Sequence, residues 1–249
     1  MEKETVLTLS GLKKNFGALE VLKQIDLTVQ QGEVVSIIGP SGTGKSTLLR
    51  CINHLERPTH GQITIDDITL TAGKSSHKEI YRLRSKTAMV FQNYSLFKNK
   101  TALENIMEPL VQVQKMPKEE AVRRAEAILA DIGLSEKRDA YPAHMSGGQQ
   151  QRVGIGRAMA VKPRLILFDE PTSSLDPELV GEVLSVIQRL AAAHTAAMLI
   201  VTHEMRFARQ VSDRILFMDG GVILEQGTPD EIFNSSNPRI RKFVAGLDV

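Results

Sequence analysis

The sequence predicts an α/β fold on a mostly parallel sheet, and three observations predict it. Short apolar runs of strand length recur at 33–38, 164–168 and 197–201. Segments with apolar residues at helical spacing lie between them. A glycine-rich turn joins the first of these strands to a helix. Strands that alternate with helices pair in parallel, because each helix carries the chain back along the sheet.

Along the chain, Val6, Leu7 and Leu9 form a first short strand, and Ile25, Leu27 and Val29 alternate in a second before Gln31-Gly32 turns. The run 33–38 ends in glycine, as a buried strand would. The polar turn Pro58-Thr-His-Gly61 leads into Ile63, Ile65 and Ile68. From there the pattern becomes helical. Thr101-Ala-Leu-Glu104 has the spacing of a capping box, and Pro117 is placed at a first helical position. Val122, Ala125, Ile128, Leu129 and Ile132 follow at helical spacing until Gly133 stops them. Asp176-Pro177 opens an amphipathic helix through Val180, Val183, Leu184, Ile187 and Leu190, and Thr228-Pro-Asp-Glu231 is a further capping box. One domain with two lobes is expected: a core of about 1–94 and 161–249, and a helical insertion of about 95–160.

Composition narrows the function. Residues of the AVILMFWYC set make up 42% of the 249, enough for a large core. Thirty-one lysines and arginines against 29 acidic residues leave +2, so no bulk field attracts nucleic acid or anionic lipid. The single cysteine, Cys51, has no partner within the chain and fits a reducing compartment. The charged start Met1-Glu-Lys-Glu-Thr lacks a leader's apolar stretch, and the longest apolar run, 196–201, is far short of a bilayer span. A cytoplasmic protein is expected.

Three segments carry chemistry. Gly39-Pro-Ser-Gly-Thr-Gly-Lys45-Ser46 fits G-x-x-x-x-G-K-[ST] between a predicted strand and helix. Glycines there let backbone N–H groups curl around phosphate oxygens, and the helix offers its positive end. Lys45 would reach the β- and γ-phosphates and Ser46 a Mg²⁺ ion. In the second, 165–168 end in Asp169-Glu170, a carboxylate for the metal side and a candidate general base, or simply the start of a solvated loop. The third is Met145-Ser-Gly-Gly-Gln149, where Ser146 caps a helix. It reads equally as a second phosphate-binding helix start or an ordinary capped turn.

Taken together, and in this order, the segments resemble the ATP-binding subunits of ATP-binding-cassette (ABC) transporters. The phosphate loop comes first, then Gln92, Ser146-Gly-Gly-Gln149 and the strand ending in Asp169. Glu170, Ser173-Ser-Leu-Asp176 and His203 at a strand end complete the set, over about residues 5–245. The resemblance implies a P-loop NTPase core with a mostly parallel sheet, an N-terminal antiparallel β region and an inserted helical subdomain. Residues 39–47 (Gly39, Pro40, Ser41, Gly42, Thr43, Gly44, Lys45, Ser46, Thr47) would hold ATP, and Phe16 would stack on adenine, where the family often has tyrosine. Ser46, Gln92 and Asp169 would hold Mg²⁺. Glu170, His203 and Gln92 would serve catalysis. Ser146, Gly148, Gln149 and Asp176 would act on ATP held by a second copy, facing it head to tail. Met145 stands where leucine is usual.

The stretches 169–180 and 201–209, with Glu225-Gln-Gly and Asn237-Pro-Arg-Ile-Arg241, look most like importers of polar amino acids. That resemblance implies separate membrane permease subunits and, indirectly, an extracytoplasmic solute-binding protein, at the cytoplasmic face of the membrane. The rivals are an ABC ATPase that regulates a complex such as the division machinery, and a soluble ABC ATPase acting on DNA or ribosomes. The latter usually carries two cassettes or a long coiled coil, and this chain has neither. A small-molecule kinase leaves Ser146-Gly-Gly-Gln149 unexplained. Arg82, Arg84, Arg123 and Arg124 are read as solvated faces, and Cys51 as a small buried hydrophobe.

Overall fold

The computed structural model describes residues 4–246, and the charged start read above lies partly outside them, at residues 1–3. Two long strands open the chain, β1 (Thr5–Phe16) and β2 (Leu19–Gln30), followed by β3 (Val34–Ile38) and α1 (Lys45–Ile52). Next come β4 (His60–Ile65), β5 (Ile68–Thr71), α2 (His77–Ser85) and β6 (Thr87–Val90). Three helices follow, α3 (Ala102–Gln112), α4 (Lys118–Asp131) and α5 (Gly147–Ala160). Then β7 (Leu165–Asp169), α6 (Pro177–Ala193), β8 (Ala197–Val201) and α7 (Met205–Val211) alternate. The hairpin β9 (Arg214–Asp219) and β10 (Val222–Gly227) leads to α8 (Pro229–Phe233) and α9 (Pro238–Ala245).

Two sheets result. The first is antiparallel, in the order β2-β1-β4-β5; the second has six strands, β10-β9-β3-β8-β7-β6, parallel except for the β9–β10 hairpin. Alternation along each central strand explains the layering. Leu165, Leu167, Ala197, Leu199 and Val201 share one core with α1 (Leu48, Leu49, Ile52) and with the antiparallel sheet (Leu7, Leu9, Ile25, Ile63). Ile166, Phe168, Met198 and Ile200 point the other way, into a core with α3, α4, α5 and α6. At the β9 side, Ile215 and Phe217 pack with Met205, Ile232 and Ile240. Both faces are covered, so the central strands are almost wholly apolar, as buried parallel strands tend to be; the exceptions are Ser36, whose hydroxyl pairs with Ser212 Oγ at 2.6 Å, and Asp169 at the end of β7.

The capping boxes predicted at Thr101 and Thr228 are formed, each hydroxyl accepting from the N–H three residues on. Asp176 and Pro117 occupy N-cap positions, Pro117 one residue outside the helix it was expected to start, and neither caps with its side chain. Ile63, Ile65 and Ile68 do not share a strand: Asp66, at φ 51°, turns the chain between β4 and β5. Arg84 is not merely solvated. Its Nε donates to Asn53 O at 3.2 Å and its Nη2 to His54 O at 2.8 Å. A cation thus closes the carbonyl end of α1, the end that favours positive charge. Cys51 is buried, and burial pushes its thiol up to about 12. Among the described residues no helix is long and apolar enough to cross a membrane.

Candidate phosphate-binding site

In an open parallel sheet, ligands bind beyond the carboxyl ends of the strands. The neighbouring order β3-β8-β7-β6 places the chain just past β3, β8, β7 and β6 along one edge. Those are the positions of Gly39, His203, Asp169 with Glu170, and Gln92. The sheet register alone brings together four segments far apart in sequence: Asp169 pairs with Val201 and Phe168 with Val90.

The loop from β3 to α1 is shaped by close approach. Gly39 has φ 141°, and a Cβ on it would sit 2.1 Å from Met218 O; Gly44, at φ 99°, is the N-cap of α1. No side chain caps α1 and its first turn holds no acid, so its leading N–H groups are free to meet an anion. Thr43 Oγ1 donates to Pro40 O at 2.9 Å and stiffens the loop. Lys45 Nζ donates to Gly39 O and Pro40 O, both at 2.8 Å. Burial pushes the Lys45 ammonium below its ordinary range, while the carboxylates of Glu170 and Asp169 pull it back up. A desolvated lysine facing two carboxylates gains most when phosphate charge arrives beside it.

Ser41, Gly42, Gly44, Lys45, Ser46 and Thr47 line one cleft, closed on the far side by Glu170 and beside β2 by Val21. Glu170 has φ 48°, a left-handed angle that costs a residue with a Cβ about 1–2 kcal/mol. Its N–H donates to Val201 O at 3.0 Å, and Ser173 N and Oγ both donate to its carbonyl. This turned backbone aims the side chain back over the cleft. His203 Nε2 lies 3.1 Å from Glu170 Oε1, so the ring holds the carboxylate. Asp169 is 3% exposed; Oδ2 accepts from Arg50 Nη2 at 3.4 Å, but Oδ1 is buried without a hydrogen-bond partner. A buried, unpaired carboxylate oxygen is costly. With Ser46 nearby on α1 and Gln92 just past β6, the donor set is the all-oxygen kind that suits Mg²⁺.

The other expected residues are placed elsewhere. Phe16 is an exposed ring at the end of β1, with Lys14 Nζ 4.3 Å from its centroid. Lys14 was not legible as a partner from sequence; the residue is buried, and its Nζ also donates to Arg57 O at 2.9 Å and pairs with Glu56 at 3.1 Å. Ser146 caps α5: its hydroxyl accepts from Gln149 N and Gln149 Oε1 accepts from Ser146 N. Gly148 is buried against Leu179, while Asp176 is exposed at the start of α6. None of Ser146, Gly148, Gln149 or Asp176 lines the cleft at Lys45.

Comparison with known proteins fits this geometry. Residues 22–173 match the family described as ABC transporter. The chain is 57% identical over 240 residues to the probable amino-acid import ATP-binding protein YxeO of Bacillus subtilis, across 96% of each chain. It is 53% identical to the L-cystine import ATP-binding protein TcyC of the same organism, covering 96% of this chain and 97% of that one. To the arginine/ornithine transport ATP-binding protein AotP of Pseudomonas aeruginosa it is 47% identical, covering 96% and 98%. Among solved structures, the dimeric post-hydrolysis state of the ATP-binding cassette MJ0796, bound to ADP and Pi, superposes with a TM-score of 0.79 at 34% identity. That match covers 90% of this chain and 98% of the other. With the phosphate loop, the Asp169-Glu170 strand end and the capped Ser146 helix all in place, the chain belongs to the ABC transporter family.

Proposed function

We propose that this chain is the ATP-hydrolysing subunit of an importer for a polar amino acid, working at the cytoplasmic face of the membrane through separate permease subunits. The observation that carries the reading is the incompleteness of the cleft. Ser41, Gly42, Gly44 to Thr47 and Glu170 line it, but nothing from the start of α5 does, although Ser146, which caps that helix, is exposed. A second copy facing head to tail would supply Ser146, Gly148 and Gln149 to that cleft, with Asp176 beside the junction. The names of the relatives support amino-acid import over regulation or a soluble ATPase.

In the mechanism, residues 39–47 wrap the phosphates and Lys45 neutralises their charge. Glu170 accepts the proton of the attacking water, and His203 keeps its carboxylate in place. Mg²⁺, held by Ser46, Gln92 and Asp169, would neutralise charge on the β- and γ-phosphates. Phe16 stacks on adenine. ATP favours the closed pair and hydrolysis releases it, because only the closed pair gains the contacts from both copies. The helical lobe, about 95–160, carries α5 as an insertion packed on the core of about 1–94 and 161–249. A solute-binding protein acts on the permease from the other side.

Mass spectrometry of what co-purifies with the Glu170→Gln protein from detergent-solubilised membranes in Mg-ATP tests the reading. A multispanning permease is the expected partner. Recovery from the soluble fraction alone, with no integral partner, overturns import. A smaller effect tests the adenine contact. A cation against an exposed ring is worth about 0.5–1 kcal/mol, so Lys14→Met is expected to raise KM for ATP roughly two- to fivefold and leave kcat unchanged. A steady-state titration that finds KM unaltered detaches Lys14 from Phe16's role.

A further inference from the structure

Three segments with separate duties meet at one side chain that none of those duties uses. Past β6 the chain bends through residues 91–100, where Tyr94 and Ser95 both take left-handed angles, φ 54° and 51°. Two such residues in succession persist only where neighbours hold them. Helix α5 does the holding. Arg157 donates from Nη1 to Ser95 O at 2.8 Å and from Nη2 to Tyr94 O at 3.4 Å, and Gln151 Nε2 donates to Phe91 O at 3.2 Å.

Held in this way, Tyr94 reaches the turn between β7 and α6, where its hydroxyl donates to Ser174 O at 3.1 Å. Asn93 reinforces the link, its Oδ1 accepting from Ser174 Oγ at 3.5 Å. The Ser174 carbonyl can only accept, so the phenol must be the donor across this link. The start of α5 completes the junction. A Cβ on Gly147 would lie 2.6 Å from Tyr94 Oη and 3.1 Å from Leu175 Cδ2, so glycine is what lets phenol and turn close on this helix.

We propose that Tyr94 is a positioning residue that locks the Gln92 loop, the 173–176 turn and the Ser146-capped start of α5 together. A change at the phosphate cleft is thereby passed to the surface offered to the second copy. The inference rests on the functional reading above, in which Gln92 faces nucleotide and Asp176 faces the partner. The coupling is mechanical: the hydroxyl ties the backbone of one loop to a backbone carbonyl of another, so neither moves alone.

The test is Tyr94→Phe in the full chain, which removes one oxygen and keeps the ring. KM for ATP is expected to stay within about twofold, while kcat falls about three- to tenfold, the range for one neutral hydrogen bond. ATP-driven dimerisation in the Glu170→Gln background is expected to weaken by a similar factor. Hydrogen exchange separates coupling from general loosening. ATP should slow the amides of 45–47 in parent and variant alike, but slow those of 173–179 only when Tyr94 is present. Gly147→Ala, which displaces the same phenol from the other side, should give the same pattern. If Tyr94→Phe matches an active parent in kcat, dimerisation and exchange, the positioning role is overturned and the functional reading stands. A parent that neither hydrolyses ATP nor dimerises overturns both.

Discussion

Replacing Glu170 by glutamine is expected to lower ATP turnover by about 10²- to 10⁴-fold, the usual worth of a positioned general base. ATP affinity should change little. The carboxylate closes the Lys45 cleft and lies 3.1 Å from His203 Nε2, so the glutamine amide can keep that neighbour while losing the basicity. The side chain also starts from a left-handed backbone at φ 48°, anchored by Val201 O and Ser173, which glutamine adopts as readily as glutamate. With hydrolysis blocked and binding intact, the ATP-bound pair should accumulate. Phosphate release and light scattering in Mg-ATP report the two halves of this expectation. A variant that turns over at the parent rate removes Glu170 from the role of base.

Lys45→Ala is expected to act one step earlier, on binding itself. Lys45 is 4% exposed, and its ammonium is held by the carbonyls of Gly39 and Pro40 and pushed below its ordinary range by burial. Charge-assisted hydrogen bonds contribute about 1.5–3 kcal/mol, so ATP affinity should fall roughly 10- to 100-fold. Direct titration with nucleotide measures it. Unchanged affinity would take Lys45 out of the phosphate site. The two variants thus split binding from chemistry: alanine at 45 should neither bind tightly nor pair, whereas glutamine at 170 should bind, pair and stall.

Much of this was legible in the sequence where the physics is local. A strand, a glycine turn and a helix in succession announce the phosphate loop, and hydroxyls three residues before Glu or Gln announce the capped starts at Thr101, Ser146 and Thr228. Two elements were less legible. Ser76-His-Lys-Glu79 has the same capping spacing and does cap α2, but only Leu83 of that helix is buried, so no apolar stripe drew notice. The strand β6 has only four residues; its own pattern is too short to stand alone, and it was expected only as the strand that the resemblance puts before Gln92. The side chains missed at the site share another cause. Tyr94 meets a carbonyl 80 residues away, Arg157 one 62 residues away, and Lys14 one 43 residues away. Each distant partner accepts through its backbone carbonyl, and no spacing rule marks a backbone partner so far along the chain.

The place of β3 in the sheet has a consequence for biosynthesis. The strand that launches the phosphate loop is flanked by β8 and β9, from the last quarter of the chain. As the chain leaves the ribosome, residues 34–38 must wait for the partners at 197–201 and 214–217. The most recognisable motif in the sequence is therefore among the last to acquire its native walls. Pairing over such separations is slow to nucleate and leaves apolar strands exposed meanwhile. A nascent or truncated chain that carries the whole motif but stops before β8 has the residues for nucleotide without the scaffold to present them.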